Sequence, residues 1–174
     1  MKSLFLFTIL FFTVSFLCAQ KRNIEIQIEN KPPILVGEID LTGLAGNAYK
    51  TWFDNNYKAY EVNTEMNTKL KDALNEYHIL LFMGTWCGDS KREVPRFIKI
   101  LESADFPMEN LKMVALDYRK EQYKKSPNGE EWGLNIKRVP TFIFYKNGKE
   151  VSRIVERPIV SLEADMLSIV TEIR

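Results

Sequence analysis

The sequence predicts an α/β fold with a mixed central sheet and helices on both faces, preceded by an N-terminal extension. Three observations lead to this prediction. From residue 59 onward, apolar stretches of strand length alternate with amphipathic stretches of helical period. The stretch 112–117 has an unbroken apolar centre, which suits a strand covered on both faces. Asn147-Gly148 lies between two apolar stretches, and this dipeptide predicts a β-hairpin.

The first 19 residues have the pattern of a secretory signal. Lys2 precedes an apolar stretch from Leu4 to Leu17, and Ala19 offers a small residue for cleavage. The apolar stretch is shorter than the roughly 20 residues that cross a bilayer. We therefore expect residues 1–19 to be a signal peptide and the protein to be exported, to a periplasmic or extracellular location.

Membrane association is expected only if this signal is retained or if Cys18 is lipidated. The bacterial lipoprotein signal places a small residue before its cysteine, whereas this chain has Leu17. Lipoprotein anchoring is therefore the less favoured alternative.

The charge balance narrows the range of partners. The chain has 24 Lys and Arg residues and 23 Asp and Glu residues, and removal of 1–19 takes away only Lys2. A balanced surface argues against nucleic acid or an anionic membrane as the main partner. One histidine and one remaining cysteine cannot supply a zinc set, and no metal or other cofactor is predicted.

Cys87 is the only thiol left once the signal is removed. In an oxidising compartment structural cysteines come in pairs, so a single one indicates a reactive thiol or an intermolecular bond. The alternative is a buried cysteine that acts as a small apolar residue. Cys87 stands where an apolar strand gives way to an amphipathic helix, and the unpaired N–H groups of a first helical turn favour a thiolate. The position therefore favours chemistry at Cys87.

The extension, residues 20–58, contains an alternating stretch at 24–28 that predicts a half-buried strand. Lys31-Pro32-Pro33 is expected to break it, because proline lacks a donor. A short apolar stretch at 34–39 and a helix at 48–57 follow.

The remaining elements follow from local patterns. Asn63 is a plausible N-cap for a helix whose apolar stripe runs from Met66 to Tyr77. Ser161 follows Pro158 at the start of the last helix. The predicted order from residue 59 is strand (59–62), helix, strand (from 79), helix (to 101), strand (112–117), short helix (128–134), strand (139–145), strand (151–155), helix.

Over residues 59–174 the chain resembles the thioredoxin superfamily. The residues that carry the resemblance are Trp86-Cys87-Gly88-Asp89-Ser90 after an apolar strand, Pro95, Val139-Pro140-Thr141 before a strand, and the hairpin Lys146-Asn147-Gly148-Lys149. The resemblance implies a three-layer sandwich and a domain division into signal peptide (1–19), extension (20–58) and thioredoxin-like domain (59–174).

The resemblance also implies roles for individual residues. It implies that Pro140 is a cis proline beside Cys87 and that the Val139 backbone can pair with an extended substrate. Trp86 and Thr141 complete the implied substrate-binding set, and Gly88 with Asp89 forms the active-site loop. Pro95 corresponds to the proline that kinks the family's active-site helix. The alternative for Pro140 is a trans proline that opens an edge strand.

Two departures from the family pattern define the expected chemistry. Ser90 stands where the redox enzymes carry a second, resolving cysteine, and Leu81 stands where many thioredoxins have a buried Asp. In the family, that buried Asp helps the second thiol lose its proton. A chain without the second thiol has no use for the Asp, so the two departures are consistent with each other. A Ser90 hydroxyl hydrogen bond could stabilise the Cys87 thiolate, whereas the charge of Asp89 opposes it.

The leading hypothesis is a monothiol thiol–disulfide exchange protein of the bacterial cell envelope. Cys87, assisted by Ser90, would form mixed disulfides with protein or small-molecule thiols and disulfides. An external thiol would then resolve them, in an isomerase- or reductase-like cycle.

Three alternatives remain open. The main one is a non-catalytic thioredoxin-fold module that binds a peptide or partner. A hydrolase is suggested by Gly88-Asp89-Ser90, but the only histidine is His78, on the preceding strand. A thiol peroxidase of this family would carry Thr where this chain has Gly84.

Overall fold

The computed structural model describes residues 21–171, so the predicted signal at 1–19 lies outside the described residues. The strands are β1 (Ile24–Ile28), β2 (Lys31–Ile39), β3 (Tyr77–Met83), β4 (Leu111–Ala115), β5 (Thr141–Lys146) and β6 (Lys149–Val155). The helices are α1 (Leu41–Leu44), α2 (Asn47–Ala59), α3 (Thr64–Leu74), α4 (Gly88–Ser103) and α5 (Leu162–Thr171). None of these helices combines the length and the apolarity needed to cross a membrane.

The six strands form one mixed sheet in the order β1-β2-β4-β3-β5-β6. β3 and β4 run parallel, and the other neighbouring pairs run antiparallel. Leu81 at the centre of β3 pairs with Met113 on one side and with Phe142 on the other. The predicted α/β class and mixed sheet are confirmed, and the extension supplies two of the strands, β1 and β2.

Two apolar clusters lie on opposite faces of the sheet. The larger contains Ile79, Leu81 and Met83, together with buried residues from all five helices. Because side chains alternate along a strand, Phe82 faces the other way and joins the second cluster. The segment 116–139 closes this second cluster with residues such as Leu116 and Val139.

The prediction of a short helix at 128–134 is wrong, because this stretch is a series of turns. Gly129 and Gly133 have φ angles of 72° and 76°. A right-handed helix cannot pass through left-handed residues, which glycine adopts without steric cost. Turns rather than an α-helix therefore cover this face of the sheet, and within the described residues the prediction of helices on both faces is wrong, because all five helices pack on the other face.

The strand predicted at 24–28 is confirmed as β1, but the prolines do not break the sheet as predicted, since β2 begins at Lys31 and includes Pro32 and Pro33. β4 pairs with β2 only along Gly37–Ile39, so the proline end has a strand neighbour, β1, on one side only. Proline is tolerated at such an edge because no ladder donor is required there.

The strand predicted at 59–62 is absent, since α2 runs through Ala59 and no regular element follows before α3. Side chains rather than a neighbouring strand hold this connection. The Tyr60 hydroxyl donates to Glu163 at 2.7 Å, and Lys99 Nζ donates to the Tyr60 carbonyl at 2.5 Å. The predicted N-cap is confirmed, because the Met66 N–H donates to Asn63 Oδ1 at 3.0 Å.

The β5–β6 hairpin is confirmed at the predicted dipeptide. Asn147 and Gly148 both have positive φ angles, 52° and 73°, as the two central residues of a type I′ turn require. This turn lies at the end of β5 opposite to Pro140. Pro95, which the resemblance places inside the active-site helix, lies inside α4 and is buried.

Candidate functional site

Cys87 lies at the junction between β3 and α4. It is the N-cap residue of α4, with φ −85° and ψ 129°, and its side chain does not cap the helix. Its N–H donates to the Gly84 carbonyl at 2.9 Å, and its carbonyl accepts from the Lys91 N–H at 3.0 Å. Cys87 is half-buried and is a free cysteine. The backbone thus fixes this residue at the start of the helix, in a partly exposed position.

The loop before β5 meets this cysteine. The Val139–Pro140 peptide bond is cis. The Cys87 thiol donates to the Val139 carbonyl with a sulfur–oxygen distance of 3.2 Å, across 52 residues of sequence. Thr141 is buried, and its hydroxyl donates to the Arg138 carbonyl at 2.7 Å, which braces the loop from behind. The fold therefore brings together the cysteine and the Val139-Pro140-Thr141 stretch.

Ser90 is fully buried in the first turn of α4. Its Oγ accepts a hydrogen bond from the Gly84 N–H at 3.2 Å, which ties the end of β3 to the helix. Among the described residues, the Cys87 sulfur has one hydrogen-bond partner, the Val139 carbonyl. The hydrogen bond from Ser90 to the sulfur, which the sequence left as one possibility, is therefore not formed, and the serine oxygen contacts the loop backbone instead.

The charge of Asp89 is paired. Arg92 donates to Asp89 at 2.7 Å and to Glu93 at 2.6 Å, and the side chain of Glu93 is 4% exposed. Hydrogen bonds to Glu93 and Asp89 raise the pKa of Arg92 above its usual range. The guanidinium thus offsets the negative charge that Asp89 places in the first turn of α4. Gly88, the first residue of that turn, is exposed.

Trp86 forms an aromatic wall beside Cys87. Its indole N–H donates to the Leu116 carbonyl at 2.8 Å. Its ring centroid lies 5.7 Å from that of Tyr118 and 6.3 Å from that of Tyr123. A Cβ at Gly84 would come within 2.6 Å of the indole, so the close approach of this ring requires glycine there.

The structure adds residues that the motif did not indicate. Thr85 is buried, and its Oγ1 accepts a hydrogen bond from the Leu35 N–H of β2 at 3.1 Å. Lys31, at the start of the same strand, has its Nζ 5.5 Å from the Tyr118 ring centroid. No local pattern marks these contacts, although the two prolines beside Lys31 signal an edge strand with exposed backbone.

His78 is exposed near the start of β3, opposite Tyr145. A strand rises about 3.3 Å per residue, which places His78 roughly 15 Å from the end of β3 where Cys87 follows. It cannot serve as a base at this site. With Ser90 buried as well, the hydrolase alternative has no catalytic arrangement within the described residues.

Comparison with known proteins agrees with this geometry. The family model described as thioredoxin matches residues 44–167, a span that contains Cys87 and Pro140. A thioredoxin from Geodia cydonium is 27% identical over 55% of this chain and 81% of its own length. Thioredoxin H9 from Arabidopsis thaliana is 30% identical over 60% of this chain and 69% of its own length.

Among solved structures, a protein of unknown function from Pseudomonas aeruginosa superposes with a TM-score of 0.55. The match covers 76% of this chain and 91% of the other, at 14% identity, so it supports the fold alone. The family match begins at residue 44, within the segment 20–58 that was predicted to be a separate extension. The chain belongs to the thioredoxin-like family.

Proposed function

We propose that this protein is a monothiol thiol–disulfide exchange protein that acts through Cys87. One observation carries the proposal: the half-buried Cys87 sulfur lies 3.2 Å from the carbonyl that precedes a cis proline. A reactive thiol is thereby paired with a backbone edge at Val139 to which an extended peptide can bind. Membership of the thioredoxin-like family supports a general thiol–disulfide oxidoreductase-like function.

The exchange proceeds in two displacements. The Cys87 thiol first gives up its proton to solvent, and the thiolate attacks one sulfur of a substrate disulfide. A bond forms between Cys87 and that sulfur, while the substrate bond breaks and its other sulfur leaves as a thiolate. An external thiolate then attacks the mixed disulfide and releases Cys87. Reduction of the substrate consumes two external thiols, which leave as a disulfide, whereas isomerisation consumes none.

The residues around Cys87 position these steps. In this proposal Val139 aligns the substrate backbone and Trp86 covers one side of the sulfur. Ser90 holds the loop through Gly84 instead of supplying a second thiol, and that substitution makes the external thiol necessary. Arg92 offsets the charge of Asp89, which would otherwise repel an attacking thiolate.

The test is exchange with a mixed-disulfide peptide, measured for the wild type, Cys87→Ser and Cys87→Ala. We expect the wild type to form a one-to-one adduct by mass spectrometry, which excess small thiol releases, and both variants to form none. Equal rates for all three proteins would overturn the proposal. Trapping without added thiol should accumulate adducts of the wild type, and their masses would name the substrates.

Non-catalytic peptide binding is the second candidate. The half-exposed aromatic wall formed by Trp86, Tyr118 and Tyr123 favours it, because such a surface can hold a peptide without a thiol. It requires that capture of a peptide survive Cys87→Ser with unchanged affinity. Loss of all capture in that variant would count against it.

We also propose that the protein is exported, on the basis of the apolar segment with Lys2 ahead of it and Ala19 at its end. The N-terminal residue of the protein purified from its natural source tests this. A mature chain that begins near Gln20 is expected, whereas an intact Met1 in all of the protein would contradict export by cleavage.

A further inference from the structure

An open groove of about 310 Å³ runs alongside the candidate site. Pro32 and Pro33 of β2 form one wall, and Trp86 and Tyr118 form the other. Lys31 and Lys91 also line it. We call this the proline–tryptophan groove. It lies on the side of Trp86 that faces strands β1 and β2, which pair as the N-terminal hairpin, and away from the loop that carries Pro140.

The N-terminal hairpin forms a wall of this groove because a hydrogen bond holds it against the loop between β3 and α4. The Leu35 N–H donates to Thr85 Oγ1 at 3.1 Å, immediately before Trp86 in the chain. Pairing of β2 with β4 stops at Gly37, which leaves the start of β2 without a strand neighbour on this side. The groove occupies the space that a longer β4 would fill.

The charged side chains that line the groove are all positive. Among the described residues that line it, two are lysines and none is acidic. Within residues 21–171 neither Lys31 nor Lys91 forms an ion pair. Asp89 and Glu93, the acidic residues nearest to Lys91 in the chain, are already held by Arg92. Two cations beside apolar walls attract carboxylates.

The groove neighbours Cys87 through Trp86. Trp86 lines the groove and precedes Cys87 directly, and consecutive Cα atoms are about 3.8 Å apart. A peptide joined to Cys87 through its own cysteine therefore has to pass Trp86 if it turns toward the hairpin. An extended chain advances about 3.4 Å per residue, so residues two to four positions from that cysteine reach the groove.

We propose that the proline–tryptophan groove binds acidic side chains that flank the reacting cysteine of a substrate protein, and that it gives the protein a preference for acidic segments. This inference rests on the proposed exchange at Cys87. The mode of binding is through side chains, because Pro32 and Pro33 have no N–H with which to add a strand. The aliphatic part of a Glu side chain packs on Trp86 while its carboxylate meets a lysine.

The test uses three disulfide peptides that differ only at the positions two to four residues from the cysteine: Glu, Gln or Lys. The measurement is the ratio of the exchange rate for the acidic peptide to that for the Gln peptide. We expect this ratio to be about tenfold in the wild type at low salt and to fall toward one in the Lys31→Gln/Lys91→Gln double variant. Added salt should lower it too, since the lysines are solvent-accessible.

Lys149→Gln is the matched control. Lys149 is exposed and lies beside the β5–β6 turn, at the opposite end of these strands from Pro140. This variant should keep the wild-type ratio. A ratio near one in the wild type, or an unchanged ratio in the double variant, would overturn the inference while leaving exchange at Cys87 intact.

A second measurement separates the two proposals. Calorimetric titration of Cys87→Ser with the same segments, each lacking cysteine, reports the groove without chemistry. Tighter binding of the Glu segment that is lost in the double lysine variant supports the groove, even if no peptide exchanges with the wild type and the proposed function fails. Equal binding of the Glu and Gln segments overturns it.

Discussion

The Ser90 hydroxyl accepts a hydrogen bond from the Gly84 backbone N–H at 3.2 Å. Both residues are buried, and the bond joins the residue after β3 to the first turn of α4. Ser90, which the resemblance places at the position of a resolving thiol, therefore has a structural contact of its own. It fixes the loop on which Cys87 is carried.

Replacement of this serine by cysteine should change the chemistry. In Ser90→Cys two thiols lie one helical turn apart at the start of a helix, the spacing of redox-active pairs. We expect the reduced variant to convert a peptide disulfide into two thiols without added thiol. In doing so it should form an internal disulfide between the introduced thiol and Cys87, seen as the loss of two hydrogens in its intact mass. Failure to exceed the wild type in that assay would contradict the monothiol cycle.

Ser90→Ala is the control for this experiment. It gains no thiol, so it should acquire no internal disulfide. It leaves the buried Gly84 N–H without its acceptor, and an unsatisfied buried donor costs about 1 to 3 kcal/mol of the free energy of unfolding. Denaturant unfolding measures this loss, and unchanged stability would show that the Ser90–Gly84 bond contributes nothing.

Gly84→Ala should displace Trp86. The added Cβ would lie 2.6 Å from the indole, which must move and give up its bond to the Leu116 carbonyl. Overpacking of this kind costs about 1 to 3 kcal/mol, and denaturant unfolding should show it. Gly88→Ala is the matched control, since a Cβ there has no heavy atom within 4 Å. Equal unfolding free energies for the two variants would refute the close contact between Gly84 and the Trp86 indole.

Thr85→Val should weaken the attachment of the hairpin. It removes the acceptor of the buried Leu35 N–H while keeping the shape of the side chain. We expect a loss of about 1 to 3 kcal/mol in the free energy of unfolding. Thr68→Val, an exposed change on α3, should stay within about 0.5 kcal/mol of the wild type. Similar losses in both would indicate a general effect of the substitution.

Stability should fall at high pH, and Tyr57 and Tyr60 should contribute to this fall. Burial and a hydrogen bond to Glu102 raise the pKa of Tyr57 from 10.0 to about 12. Burial and a hydrogen bond to Glu163 raise the pKa of Tyr60 in the same direction. Above pH 10 the unfolded chain therefore releases protons that the folded protein retains, so the contribution is complete below pH 10 and disappears as pH rises to about 12.

The measurement is the free energy of unfolding at several pH values between about 9 and 12. This range begins about one unit below the ordinary pKa of tyrosine. The Tyr57→Phe/Tyr60→Phe double variant should show a shallower decline than the wild type. A decline of the same steepness in both proteins would mean that other groups cause it.

Local signals in the sequence were sufficient for much of the fold. Asn147-Gly148 specifies a turn whose φ angles only a few residues tolerate, and the Asn63 cap depends on an atom three residues away. Gly129 and Gly133 also mark the turns that replace the short helix predicted at 128–134. The family motifs indicated the site because they preserve order and spacing along the chain.

The remaining features depend on contacts between distant segments. The bond between Leu35 and Thr85 spans 50 residues, and nothing near either residue specifies its partner. The direction of the Ser90 hydroxyl is set by the position of the Gly84 backbone and not by the residue type. Tyr118 reaches Trp86 because β3 and β4 run parallel and end at the same edge of the sheet. Such contacts are consequences of the assembled fold.

The bond from Leu35 to Thr85 gives the molecule a built-in reporter. The Leu35 amide hydrogen can exchange with deuterium only when the hairpin and the active-site loop separate. Its exchange free energy therefore measures a single opening that exposes both. If the hairpin opened more easily than the rest of the sheet, this one amide would record how often the groove beside Cys87 is lost.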